Sequence, residues 1–566
     1  MSTLDAPTAP AAPSPRGAQG TVRRVIVYAI FFALVAITAS GVSGLLGRLL
    51  ETRPELVAGA GGLALSLAFT LIGGPLAVAL WWFLWRRLAG PDRASVAWGV
   101  SIAAMTVVSL ITFSSALLGA MADLIGGDWS PDALATGVAW LVVWILHRRM
   151  WTHPTKGPMR LPAVPSVLGA AYGLIVAMSG TVMALQIVFG AAILPATTQL
   201  GSPWWQHALQ ALVWAVGGGV IWWLHWMRDG ARRSRTGFAA VALVVTGVFG
   251  GAAVTLGGLG TVLYVGLRAA FDRGDSWRAV LDPLPLAVAA AAVGAIVWLY
   301  HRRIARERSE GTRNATRLVE AGIGLIGAAS GIGVVVNALL AALSTPLAGS
   351  DVRSLLLGGI AALVVGAPVW WFAWRPRDAA GVAGVTGRSV YLVAVFGVSA
   401  VVAIIALLVI GFRIFELTLD GGAGDGLVER IRAPFGLLLA TALVAAYHFV
   451  IWRRDRDAAP AGGRSRAIDR VILVAAGDAS AVADAIRAAT GASVTQWARA
   501  DADGGPAGTR ATAGPATTVP GDGAAASATD DSAAAAAVRA LQGLAARRVL
   551  LVTGPGDRVE AIPLAD

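Results

Sequence analysis

The sequence predicts an all-α polytopic membrane domain of about twelve transmembrane helices, built as six tandem parallel hairpin repeats, followed by a small C-terminal α/β domain. Hydrophobic residues make up 56% of the chain and charged residues only 14%, whereas soluble domains carry about 25% charged residues. The mean hydropathy is +0.68. A short motif also recurs at the end of every second apolar segment, and the composition turns polar near residue 456.

The apolar segments set the number of helices, because a transmembrane helix needs about 20 mostly apolar residues. Suitable segments lie at about 24–47, 60–85, 96–123, 133–147, 165–194, 205–226, 238–268, 282–301, 318–343, 353–374, 389–415 and 433–452. Residues 1–22 are rich in Pro and Ala and are predicted to form a disordered tail. The first apolar segment is longer than a signal-peptide core, so it is predicted to be a retained transmembrane helix.

A motif closes each even-numbered segment: an aromatic residue, two residues, then His or Trp, mostly followed by basic residues. Its copies are Trp82 with Trp85, Trp144 with His147, Trp222 with His225, Trp298 with His301, Trp371 with Trp374, and Phe449 with Trp452. Such self-similarity indicates tandem duplication. The predicted repeats are 23–93, 94–160, 161–235, 236–315, 316–385 and 386–455. Because each repeat holds two spans, all six copies have the same orientation in the membrane.

Tandem two-helix units that close on W-x-x-[HW]-R-R resemble an uncharacterised bacterial, actinobacterial-like, multi-pass membrane family that is catalogued as a domain of unknown function. The resemblance covers about residues 20–455. The third and fifth copies depart from the motif, since Met227 and Pro376 stand in basic positions. The resemblance implies a multi-pass membrane protein of a bacterial cell and supplies no activity, substrate or cofactor.

Charge predicts the orientation. Loops after the even-numbered segments hold more than twice as many basic residues as the loops inside the hairpins. Asp123, Asp128 and Asp132 occupy one hairpin tip without a basic residue beside them. Because basic residues near span ends stay in the cytoplasm, both termini are predicted to be cytoplasmic in a bacterial inner membrane.

The aromatic and His positions of the motif allow two interpretations. His147, His225 and His301 each share a helix face with a Trp three residues earlier, and imidazole is a common metal or haem ligand. Trp cannot bind a metal, yet it occupies the same motif position in three of the six copies. The motif residues are therefore interpreted as interfacial anchors at the headgroup level, and no metal or cofactor is predicted.

Polar residues are scarce at membrane depth. Gln186 and Asn337 lie deep inside apolar segments and are candidates for a substrate path or for hydrogen bonds between helices, the second being preferred. The scarcity of buried carboxylates argues against proton- or sodium-coupled transport. The chain has no cysteine, which excludes disulfides and thiolate chemistry. No catalytic residue is predicted.

The C-terminal part reads as a cytoplasmic α/β domain at 470–566 after a linker at 456–469. It contains strands at 470–476, 492–500 and 549–554, a last extended stretch at 559–564, and helices at 479–490 and 532–546. Residues 501–530 are predicted to be a disordered insertion. Residues 554–557 (GPGD) follow a strand but lack the phosphate-loop pattern, so nucleotide binding is not expected.

These observations favour a non-enzymatic membrane scaffold or sensor with a cytoplasmic partner-docking or regulatory domain. The alternative is a transporter or channel for an uncharged or amphipathic solute. The expected partners are membrane lipids and a cytoplasmic protein. Nucleic acid is not expected despite the net charge of +12, because the arginines lie beside apolar segments. The sequence favours no oligomeric state and no particular ligand.

Overall fold

The computed structural model describes most of the chain. The described residues are 15–52, 59–88, 90–194, 202–271, 274–343, 352–374, 382–419, 426–458, 468–475, 479–498, 533–542, 544, 546–554 and 558–564. Two compact units are present, Met1–Phe449 and Val450–Asp566. Most of the predicted tail, most of the linker and the whole predicted insertion fall outside the described residues.

Twelve long helices occupy the described part of the chain up to residue 458. They are α1 (Pro15–Leu50), α2 (Ala60–Arg87), α3 (Val96–Gly126), α4 (Pro131–Trp151), α5 (Val164–Ile193), α6 (Trp204–Arg228), α7 (Gly237–Phe271), α8 (Leu284–Arg306), α9 (Glu310–Ala341), α10 (Val352–Trp374), α11 (Val382–Leu419) and α12 (Leu427–Ala458). Two short helices, Gly90–Arg93 and Trp277–Leu281, precede α3 and α8.

Eleven helices in the described ranges are long and apolar enough to cross a membrane, by length and composition. The remaining long helix, α4, has 21 residues but carries Asp132 and a His-Arg-Arg run that lower its hydropathy. The chain is therefore a multi-pass membrane protein. The helix bounds match most predicted segments within a few residues. The larger differences are at starts: α1 begins at Pro15, inside the predicted tail, and α9 begins at Glu310.

Local sequence explains several helix ends. Ser95, Thr236 and Ser309 accept hydrogen bonds from backbone N–H groups in the first turns of α3, α7 and α9, as N-cap residues do. The segment Phe69–Gly73 is π-helical and directly precedes Gly74 and Pro75, and both π-helical turns and prolines are known causes of helix kinks.

Glycine residues allow the two helices of a hairpin to pack closely. Gly218 of α6 lies so close to the backbone at Ala177 of α5 that a Cβ there would overlap it, and Gly173 faces Trp222 in the same way. The same close approach recurs between α7 and α8 and between α9 and α10, at Gly251, Gly258, Gly294, Gly324, Gly331 and Gly366. Small residues that let helix backbones approach are the usual basis of association within a bilayer.

The helices also group in fours. The fourth helix of the first group, α4, packs on the first, α1, and α8 packs on α5 in the same manner. In the third group α12 likewise packs on α9, because Gly436 lies against the backbone of Gly333. The twelve helices are therefore organised as three groups of four, each made of two hairpins.

The second unit contains a four-stranded sheet in the order β2-β1-β3-β4. The strands are β1 (Arg470–Ala475), β2 (Ser493–Ala498), β3 (Arg548–Thr553) and β4 (Val559–Leu564), with helix α13 (Ser480–Thr490) between β1 and β2. β1 is parallel to β2 and β3, and β4 is antiparallel to β3. Val471, Leu473 and Leu551 are fully buried with Ile486 of α13. The α/β fold of this domain is thus confirmed.

Candidate functional site

Four histidines lie buried near the ends of the even-numbered helices. Their exposed fractions are 4% for His147, 0% for His225, 3% for His301 and 0% for His448. In each ring Nδ1 donates a hydrogen bond to the carbonyl oxygen four residues earlier, at 2.8–2.9 Å. His448 is outside the sequence motif, because it lies one turn before Trp452. The Tyr-His pair that it shares with Tyr300-His301 is the signal that identifies it.

The hydrogen bond to a carbonyl places the imidazole proton on Nδ1 and leaves Nε2 as an acceptor. In the described structure, Nε2 of His147, His225 and His448 is buried without a hydrogen-bond partner. The rings fill notches between helices: the His225 ring lies against Gly169 of α5, and the His301 ring against Gly247 of α7. The histidines are thus part of the interior packing of the bundle.

The other motif residues divide by exposure. Trp82, Trp371 and Phe449 are 51%, 55% and 40% exposed. The half-buried ones are Trp85, Trp144, Trp222, Trp298, Trp374 and Trp452. The assignment of these residues as interfacial anchors stays a prediction.

A cluster of four rings joins α6 to α8. Trp226 Nε1 donates a hydrogen bond of 2.9 Å to the hydroxyl of Tyr300, and the Trp226 ring lies 5.5 Å from that of His301. Tyr300 and His301 meet edge to face at 5.0 Å, and Trp222 contacts Tyr300 at 5.8 Å. Such contacts add to the stabilisation from burial alone.

The same cluster joins α10 to α12. Trp374 Nε1 donates to the Tyr447 hydroxyl at 3.1 Å, and the Trp374 ring lies 5.6 Å from His448. Tyr447 meets His448 at 5.1 Å and Trp370 at 5.5 Å. The two clusters are equivalent residue by residue, so this feature repeats every four helices rather than every two.

The first four helices hold a modified copy of this cluster. Trp81 and Trp85 of α2 stack at 6.0 Å and have the same four-residue spacing as Trp222 and Trp226. His147 of α4 takes the place of His301, but Leu146 stands where the other two copies have Tyr. The hydroxyl that joins the second and fourth helices elsewhere is therefore missing from this copy.

Ion pairs lie at the same ends of the helices. Arg148 of α4 donates two hydrogen bonds, of 2.6 and 2.5 Å, to the carboxylate of Asp229, whose side chain is 8% exposed. Glu320 of α9, 2% exposed, accepts from Trp298 Nε1 at 2.9 Å and pairs with Arg302 at 2.9 Å. These polar groups bind neighbouring helices or loops to one another.

Arg308, in the loop between α8 and α9, is 7% exposed. It donates to the backbone carbonyl of Arg232, at 2.6 Å, and to that of Ser234. Burial lowers the pKa of its guanidinium, the neighbouring Arg235 lowers it further, and Glu307 opposes both. The arginine thereby links two successive loops.

The two predicted intramembrane polar residues differ in their surroundings. Asn337 Oδ1 accepts a hydrogen bond of 2.8 Å from Arg432 Nη1 of α12 and lines a groove of about 590 Å³ between α9, α11 and α12. Gln186 of α5 is half-buried and has no side-chain hydrogen bond within the described residues. The structure does not bring these two side chains into one site.

The described residues contain no group of three or more His, Asp or Glu side chains placed to hold a metal ion. The buried imidazoles, the Trp-to-Tyr hydrogen bonds and the ion pairs at the helix ends all join one helix or loop to another.

The sequence model of a family described as a domain of unknown function, DUF5671, matches residues 24–146, 164–276 and 314–443. Each match spans three or four long helices, in keeping with the four-helix spacing of the aromatic clusters. No curated protein and no solved structure matches the chain. Since the three matches cover more than half of the sequence, the protein belongs to the DUF5671 family.

Proposed function

We propose that the protein is a non-enzymatic membrane scaffold or sensor, whose C-terminal α/β domain docks a cytoplasmic protein or regulates one. The observation that carries the proposal is that the charged side chains buried near the helix ends have partners within the protein. Asp229, Glu320 and Arg308 each have intramolecular partners, and so does the half-buried Asn337. An active site or an ion-coupled transport site needs polar groups that face a substrate instead.

The C-terminal sheet supplies a surface of the kind that proteins dock on. β2 is an edge strand of the described sheet, and Trp497 on it is 58% exposed. Edge strands can pair with an added strand, and Trp is enriched among residues that dominate binding energy. Ile562, on the opposite edge strand β4, is 38% exposed and offers a matched control position.

A cross-linking pull-down from native membranes tests this proposal with four chains: the full chain, residues 1–458, Trp497→Ala and Ile562→Ala. We expect the cytoplasmic proteins recovered with the full chain to be lost from residues 1–458. The affinity for them should fall about thirtyfold for Trp497→Ala, because a Trp that dominates an interface contributes about 2 kcal/mol. Recovery should be unchanged for Ile562→Ala. Equal recovery with all four chains would refute the docking role.

Transport of an uncharged or amphipathic solute is the second candidate, and the groove beside Asn337 favours it. Asn337→Leu and Gln186→Leu would impair such a transporter while leaving partner recovery intact. Loss of cellular function in these two variants, with function retained in residues 1–458, would support transport over the scaffold.

The orientation and location are also proposals: both termini in the cytoplasm, in a bacterial inner membrane. Support comes from the basic residues at the ends of the even-numbered helices, such as Arg148 and Arg302, against the acidic tip that holds Asp128.

Because the chain has no cysteine, single-cysteine labelling reports orientation without background. Thr155, after α4, and Ser276, in the α7–α8 hairpin loop, are both exposed. In intact cells a membrane-impermeant maleimide should label Ser276→Cys and not Thr155→Cys, whereas both should react after the cells are lysed. The reverse pattern in intact cells would invert the topology.

A further inference from the structure

We propose that the groove between α1, α2 and α4 binds one anionic phospholipid, with an acyl chain along the groove and the phosphate at Arg149. This inference concerns the membrane domain and does not depend on the scaffold role. The groove encloses about 620 Å³ and is lined almost wholly by apolar side chains. No Asp or Glu is among the described residues that line it.

The walls of the groove have the form of a slot. Ala39, Ala77 and Ala139, one from each helix, are 3%, 7% and 5% exposed and lie deep in it. Val78 and Val142 are 63% and 53% exposed and line its open side. Small residues inside and larger apolar residues at the rim make the lining concave rather than flat.

The length of the groove suits an acyl chain. Along α1 the lining runs from Phe31 to Leu46, which at about 1.5 Å per residue is roughly 22 Å. One leaflet of the hydrocarbon core is about 15 Å thick, half of a core of about 30 Å. A chain of one phospholipid can therefore lie in the groove along the whole depth of its leaflet.

The modified aromatic cluster explains why the groove is here. In the other two copies a Tyr hydroxyl joins the second helix to the fourth. At the equivalent position Leu146 is 52% exposed and lines the groove together with Trp81 and Trp85. Replacing Tyr with Leu leaves open a space that the sequence fills in its other two copies.

Charge at one end selects the headgroup. Arg149, at the last turn of α4, lines the groove, is exposed, and has no ion pair within the described structure. His153 lies beside it in the lining, 5.2 Å from the Trp85 ring. Lys156 Nζ donates to the carbonyl of Trp85 at 2.6 Å. Basic pockets between membrane helices bind anionic headgroups, and Trp prefers the headgroup level. The basic residues can therefore bind the phosphate while the apolar groove binds the acyl chain of the same lipid.

Native mass spectrometry of the full chain tests this proposal, in detergent micelles supplied with phosphatidylglycerol or phosphatidylcholine. We expect one tightly retained phosphatidylglycerol and weaker retention of phosphatidylcholine. Arg149→Gln should weaken the binding of phosphatidylglycerol about fivefold, as expected for one basic residue at the headgroup. Arg303→Gln is the matched control: it removes an exposed Arg at the same motif position of α8 and should leave retention unchanged.

A second pair of variants tests whether the acyl chain lies in the groove. Leu146→Tyr restores the residue of the other two copies and should lower retention of both lipids, whereas Ile145→Tyr, one residue away and outside the groove lining, should not. Equal retention of the two lipids by the unaltered chain, or unchanged phosphatidylglycerol binding in Arg149→Gln or in Leu146→Tyr, would overturn the proposal. Circular dichroism of each variant confirms that its helices are intact.

Discussion

Gly218→Ala is expected to destabilise the membrane unit by about 1–3 kcal/mol, the usual cost of overpacking a close contact. The added methyl group would overlap the backbone at Ala177 of the facing helix. Since α5 and α6 are held in register by such contacts, the methyl group forces the two helices apart along the hairpin. Unfolding by denaturant in mild detergent, followed by tryptophan fluorescence, measures the change.

The neighbouring glycine provides the control. A Cβ at Gly219 meets nothing within 4 Å, and Ala in a helix interior is favoured over Gly by about 0.5–1 kcal/mol. Gly219→Ala should therefore leave stability unchanged or raise it. Equal effects from the two substitutions would show that helix propensity, rather than interhelical contact, determines the role of these glycines.

Breaking the Arg148–Asp229 pair is the second change with a large expected effect. Removing one partner of a buried pair costs about 3–5 kcal/mol, and the 21% exposure of the Arg148 side chain reduces this to about 2–3 kcal/mol because water screens the remaining charge. Asp229→Leu and Arg148→Leu should each lower the free energy of unfolding by that amount in the same denaturant assay.

A double-mutant cycle separates the interaction energy of the Arg148–Asp229 pair from the separate contribution of each residue. The double variant, Arg148→Leu with Asp229→Leu, leaves no unpaired charge, so its loss should be no greater than that of either single variant. Arg303→Leu removes an exposed Arg at another helix end and should have little effect. Additive losses in the double variant would mean that the two residues act independently.

The membrane helices are largely predictable, because apolar length and helix ends are local properties of the sequence. The segment predicted at 205–226 is observed as Trp204–Arg228. Hydropathy fails where a helix continues into polar residues: α9 begins at Glu310 because Ser309 caps it, eight residues before its apolar part. The strands of the C-terminal domain are equally predictable from the sequence, because runs of β-branched residues between turn residues are typical of strands.

The candidate site was predictable only in part. A Trp and a His three residues apart share a helix face, so the motif could be recognised from spacing. The motif does not predict His448, because this residue lies one helical turn before the motif position that Trp452 occupies. The hydrogen bond from Trp226 to Tyr300 joins residues of different hairpins, and no local pattern specifies which ring of a Trp-rich helix end will meet which hydroxyl.

The sequence alone is enough to show that the protein crosses the membrane many times, that it contains duplicated segments, and that an α/β domain follows them. Each of these follows from composition, spacing or periodicity along the chain. Only the folded structure shows that the histidines are buried, that the aromatic clusters repeat every four helices, and that a groove lies at Leu146, where the other two copies have Tyr. These depend on which helix faces meet, and in a bundle of similar apolar helices only close packing of small residues and the pairing of buried polar groups select the partners.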